Sequence, residues 1–166
     1  MRIMGTQNIK AVYRRSREGR LNNMRGDNAS FDPMAMSVLQ YMAAVAMDYE
    51  PDRTYHEGDI PPRCYWAGWP AMVEDFGMVM PSEQQAHDPN VDPEALFQSR
   101  EQTSRNRISR AARWLEERGL IKKLLPANTR YGRAAYWLLM IGDDFENERV
   151  EQAARTALGL GVFGGH

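Results

Sequence analysis

Between residues 104 and 121 the chain reads Ser-Arg-Asn-Arg-Ile-Ser-Arg-Ala-Ala-Arg-Trp-Leu-Glu-Glu-Arg-Gly-Leu-Ile. At about 100° per residue, Ile108, Ala111, Ala112 and Leu115 share one stripe of a helix. Asn106, Arg110 and Arg113 fall roughly opposite, with Ser109 at the border. One face suits a core, and the other carries guanidinium and amide groups. An Arg fork matches the two acceptors on the major-groove edge of guanine, and an Asn amide matches the acceptor and donor of adenine. Arg105, Asn106, Ser109 and Arg110 are therefore the candidate readers of base edges, and Arg107, Arg113, Lys122 and Lys123 the candidate phosphate contacts. An arginine-rich helix face by itself is more often a solvated surface, so its neighbours decide the matter.

Ser104 is a good N-cap and Gly119 a good left-handed stop, which predicts a helix from about Arg105 to Arg118. Residues 120–125 then read as a strand, 126–132 as a basic turn and 134–140 as a second strand. At the turn, Arg130 and Arg133 flank Tyr131-Gly132, where an Arg can enter or border a minor groove. Further upstream, Asp32-Pro33 is a cap and N1 pair. Val38, Met42, Val45 and Tyr49 repeat at helical spacing after it, which predicts a helix from Met34 to about Asp48. Cys64-Tyr65-Trp66 suits a short strand, and a helix follows Gly68 with Pro70 near its start. Tyr65, Trp66, Trp69 and Trp114 are expected as core anchors.

Residues 104–140 resemble the recognition helix and wing of winged helix-turn-helix DNA-binding proteins. The ending Leu115-Glu116-Glu117-Arg118-Gly119-Leu120-Ile121 carries much of that likeness, and Cys64 to Gly77 resembles the family's short strand and first motif helix. The aromatic pair ahead of Gly68-Trp69 is similar to small winged-helix proteins of actinobacterial phages and mobile elements. The resemblance spans roughly residues 33–140. It implies a mainly α fold with a small antiparallel β-wing, and a protein that binds double-stranded DNA sequence-specifically, as a transcriptional regulator in a phage or mobile element. Ser104 would then sit with the DNA contacts at the head of the recognition helix. The chain departs from the family where a tight turn should join the two motif helices. Met78 to Thr103 intervene instead, with Pro81, Pro89, Pro93, Glu83, Asp88, Asp92 and Glu94, and only Asp92 to Phe97 suggests a short helix. Residues 78–103 therefore read as an insertion. Replication initiation and a winged-helix interaction module that inhibits a host factor are the alternatives, the acidic insertion being the working surface of the latter.

The formal net charge of −1 conceals a segregated pattern. Residues 1–30 carry net +5, 31–97 net −10, 98–135 net +7 and 136–166 net −3. Two basic stretches can face a polyanion while an acidic body faces away. Residues 1–30 are expected as a basic N-terminal arm that tracks DNA, binds RNA or solubilises the chain. Residues 31–142 are expected as the winged-helix domain, and 143–166 as a last helix and a Gly-rich tail. On that helix Val150, Ala153, Ala154, Ala157 and Leu158 form a modest stripe for homodimerisation or for docking on its own domain. One cysteine, Cys64, suits a reducing compartment. No apolar run is long enough for a membrane, and no secretory segment is evident, so a cytoplasmic protein, nucleoid-associated when bound, is expected. His56, Cys64, His87 and His166 lack metal-ligand spacing. No phosphate-cradling loop or nucleophile motif is visible, so binding without catalysis, cofactor or metal is the expectation.

Overall fold

The computed structural model describes residues 5–161, so the end of the expected Gly-rich tail, 162–166, lies outside the described residues. The fold is mainly α with a small antiparallel sheet. Its elements run α1 (Thr6–Arg17), β1 (Asn22–Arg25), β2 (Asn28–Phe31), α2 (Pro33–Val45), β3 (Cys64–Tyr65), α3 (Trp69–Asp75), α4 (Glu83–Ala86), α5 (Pro93–Glu117), β4 (Ile121–Leu125), β5 (Tyr136–Leu139) and α6 (Asp144–Ala157). β1 and β2 pair as an isolated ribbon, and β5 lies between β3 and β4 in a three-stranded sheet.

Helix α5 packs its apolar stripe on α2 and α3. Ile108, Ala111, Ala112 and Leu115 join Val38, Leu39, Met42, Met72 and Tyr65 in the main core. Alternation along the strands divides the sheet between two layers: Tyr65, Ile121, Trp137 and Leu139 face this core. Cys64 and Leu138 face α6, where they pack with Val150 and Ala154. The last helix therefore docks on its own domain. Asp143 caps it by accepting from the Glu146 backbone N–H at 2.8 Å.

The helix expected to start after Ser104 does not begin there. Asp92 and Pro93 supply the cap and N1 residue, and α5 continues without a break for 25 residues, about 37 Å at 1.5 Å per residue. Gln98 to Ser104 contain no Gly or Pro, so nothing interrupts propagation once the helix has started. The short helix foreseen at 92–97 is its first turn and a half. The expected stop does hold: Gly119 adopts φ +71°, and Leu120 N–H bonds back to the Leu115 carbonyl at 2.9 Å.

Among the described residues the basic N-terminal segment is not a free arm. Ala11, Val12 and Leu21 are buried in the main core, and α1 lies along α2. Its charge masked a short apolar stripe. Gly5 comes so close to the end of α2 that a Cβ there would lie 2.4 Å from the Ala44 carbonyl oxygen. Asn8 Nδ2 donates to the carbonyls of Ala46 and Met47 at 3.0 and 3.1 Å, which satisfies groups that the α2 C-terminus leaves open. Arg63 completes this buried junction, donating from Nε to Asn8 Oδ1 at 3.1 Å and pairing with Glu146 at 2.5 Å. Helix α2 itself stops at Val45, three residues before the expected Asp48.

Candidate nucleic-acid interface

Three flanks of α5 are open, and they differ in chemistry. On one flank, Arg105, Ser109 and Arg113 face the β4–β5 hairpin across a cleft of about 730 Å³. Lys123, Arg133 and Trp137 close the cleft from the hairpin, and Gly68, Trp69 and Pro70 close it from the start of α3. Four cations thus converge on one concave surface, with Glu116 the acid among the lining residues. The hairpin is braced for this. Lys123 Nζ stands 4.8 Å from the centre of the Trp137 ring, and Arg133 Nη2 donates to the Pro126 carbonyl at 3.1 Å. At the tip, residues 129–131 form a single 3-10 turn that ends on Gly132 at φ +63°, and Tyr131 projects into solvent with 76% exposure. The Arg130 guanidinium lies 5.8 Å from the Tyr131 ring centre.

The crest of α5 carries Asn106, Arg110 and Arg113, all exposed. Among the described residues neither Arg110 nor Arg113 has an acidic partner within 4.0 Å. Arg105 and Asn106 are partly engaged along the helix. Arg105 pairs with Glu101 at 2.8 Å, and Asn106 Oδ1 accepts from Gln102 Nε2 at 3.0 Å. Such i,i+4 contacts contribute only about 0.2–0.5 kcal/mol each, so a ligand can displace them. The far flank presents Arg107 and Arg110, which border a shallower hollow of about 320 Å³ with Asn23, Asp32 and Trp114.

Two predicted contacts lie elsewhere. Ser104 is buried inside α5, its Oγ donating to the Met78 carbonyl at 3.5 Å, and it presents nothing to solvent. Lys122 points to the opposite side of the sheet from Lys123, because register sets it beside Leu138 while Lys123 sits beside Trp137. Its Nζ holds the buried Glu151 carboxylate of α6 at 2.7 Å, where Arg155 also binds at 3.2 Å. Burial pushes the Glu151 pKa up, but the hydrogen bonds from Lys122 and Arg155 outweigh it and hold the group below its ordinary value.

Trp69 and Trp114 are half-buried beside the main core and Tyr65 is fully buried, as expected of anchors. Trp66 differs, being 38% exposed and stacked on Tyr136 with ring centres 5.3 Å apart. The β1–β2 ribbon escaped the sequence reading altogether. Its signal was the pair Gly26-Asp27 between Arg25 and Asn28, a two-residue hairpin connection hidden by strands too polar to register. Among the described residues no helix is long and apolar enough to cross a membrane, and no group of three or more acidic, His or Cys side chains could hold a metal ion. Comparisons with protein-family models, curated proteins and solved structures find no match.

Proposed function

We propose that this protein binds double-stranded DNA sequence-specifically, with α3 and α5 as the helices of a winged helix-turn-helix and the β4–β5 hairpin as the wing. The observation that carries this reading is the convergence of Arg105, Arg113, Lys123 and Arg133 on one cleft beside the free Arg110 of the α5 crest. A helix about 10–12 Å across fits a major groove about 12 Å wide, and a backbone strand then falls in the cleft between helix and hairpin. Because Arg105 to Arg113 lie in the second half of α5, twelve or more residues from its N-terminus, the helix lies along the groove and does not enter it end-on. Asn106, Arg110 and Arg113 face the base edges, while Lys123, Arg130 and Arg133 hold phosphate. The likeness of residues 64–69 to phage and mobile-element proteins favours transcriptional regulation in that setting.

The test is fluorescence anisotropy of the full chain with a random duplex of about 25 base pairs, followed by selection from a random pool. The three phosphate contacts of Lys123, Arg130 and Arg133 imply a log-log salt slope near −2.7, or about a fortyfold loss of affinity between about 50 and 200 mM salt. Absent or salt-insensitive binding overturns the proposal. One observation favours a second reading, as an interaction module: Met80 and Phe97 in the acidic insertion are 68% and 50% exposed. That reading gains only if duplex binding fails.

A further inference from the structure

We infer that the β1–β2 hairpin is a second clamp, which holds the other phosphate backbone of the same duplex on the far flank of α5. The inference rests on the DNA-binding reading above and extends it. A rod that fills the major groove has a backbone strand on each side, so one clamp leaves the second strand to the other flank. On that flank α5 presents Arg107 and Arg110, both exposed and without an acidic partner among the described residues. The ribbon stands beside them, since Asn23 at its base shares their hollow.

The ribbon's composition suits a surface and not a core, with one cation, Arg25, and one acid, Asp27, beside its turn. Met24 and Arg25 of β1 and all four residues of β2 are exposed, and Asn28, Ser30 and Arg25 supply amide, hydroxyl and guanidinium donors of the kinds that contact phosphate. A two-stranded ribbon with this little burial is marginal on its own. It is instead fastened to α5: Arg118 donates from Nη2 to the Asn22 carbonyl, and Arg20 Nη2 donates to the Arg118 carbonyl at 2.8 Å. Two acids lie near: Asp27 in the ribbon's turn, and Asp32, which binds the Ala35 N–H at 3.0 Å and Asn23 Nδ2 at 2.6 Å and pairs with neither Arg107 nor Arg110 within 4.0 Å. A ribbon held rigidly to a cationic helix flank, with its own donors left open, has the layout of a wing.

Salt slopes on a random duplex of about 25 base pairs test this with the full chain. The double variant Arg25→Gln with Arg107→Gln should reduce the slope by about 1.8, which makes the affinity loss between about 50 and 200 mM salt about twelvefold smaller. Lys123→Gln with Arg133→Gln, on the first clamp, should do the same. Arg107→Lys keeps the charge and should retain the wild-type slope; equal slope losses in the Gln and Lys variants would mark Arg107 as structural and remove it from the clamp. If the Arg25 and Arg107 variant folds and keeps the full slope while the Lys123 and Arg133 variant loses it, the second clamp is overturned and the first stands. If the wild-type chain shows no salt-dependent duplex binding, both fall.

Discussion

Exchanging Lys122 and Lys123 separately for Met should split one adjacent pair into a stability residue and a binding residue. Lys122→Met removes one of two cations from a Glu151 side chain that is 6% exposed. Breaking a buried pair typically costs about 3–5 kcal/mol. Here Arg155 remains at 3.2 Å and Lys122 is itself 46% exposed, so screening and the second partner reduce the expected loss to about 1–2 kcal/mol. In a chain of this size that lowers Tm by about 2–8 °C. The loss should also depend on pH. Because the folded-state pKa of Glu151 lies below its ordinary 4.5, the stabilisation is fully present above that value and disappears as pH falls through the lowered one. Wild type and Lys122→Met should therefore converge in acid. Lys123→Met loses its contact with the Trp137 ring, about 0.5 kcal/mol, but should reduce the salt slope of duplex binding by about 0.9. Thermal melting between pH 3 and 7 and anisotropy against salt measure both effects. If Lys122→Met leaves melting unchanged and flattens the salt slope as much as Lys123→Met, the division of the sheet into two faces is wrong.

Other substitutions probe other levels. Arg110→Ala should relax base preference by about 1–3 kcal/mol at one position, read by sequencing selected duplexes, and an unchanged motif would remove Arg110 from the readers. Arg63→Met strips Asn8 and Glu146 of a buried cation; with Glu146 at 37% exposure the expected loss is about 2–3 kcal/mol in urea unfolding. Gly5→Ala places a Cβ against the Ala44 carbonyl at φ +78° and should destabilise by about 1–3 kcal/mol; a neutral result would show that α1 does not seat there. Burial pushes the Tyr41 hydroxyl up, helped by its hydrogen bond to Asp75, to about 12. Ultraviolet titration should find it protonated well past pH 10, and its contribution to stability, complete below 10, should be lost as pH rises through 12.

The hairpin from Ile121 to Leu139 was legible because two apolar runs bracket a Pro, Asn and Gly turn, and such local chemistry needs no tertiary help. Gly119 was legible for the same reason. Ser104 misled because a cap-type side chain marks a helix start only when something upstream prevents helix, and Gln98 to Thr103 prevent nothing. The N-terminal segment misled in the opposite way. Its lysine and arginines dominate the composition, while the burial of Ala11, Val12 and Leu21 depends on a helix that arrives later in the chain. Lys122 and Lys123 look equivalent in sequence. Only the register of β4 against β5 tells which one meets α6.

Because the residues from Pro93 to Glu117 form one unbroken rod, residues 93–103 and the arginine-bearing stretch share a single helix axis. Phe97 at its exposed end is therefore joined to the core through the same helix that seats Ile108, Ala111 and Leu115.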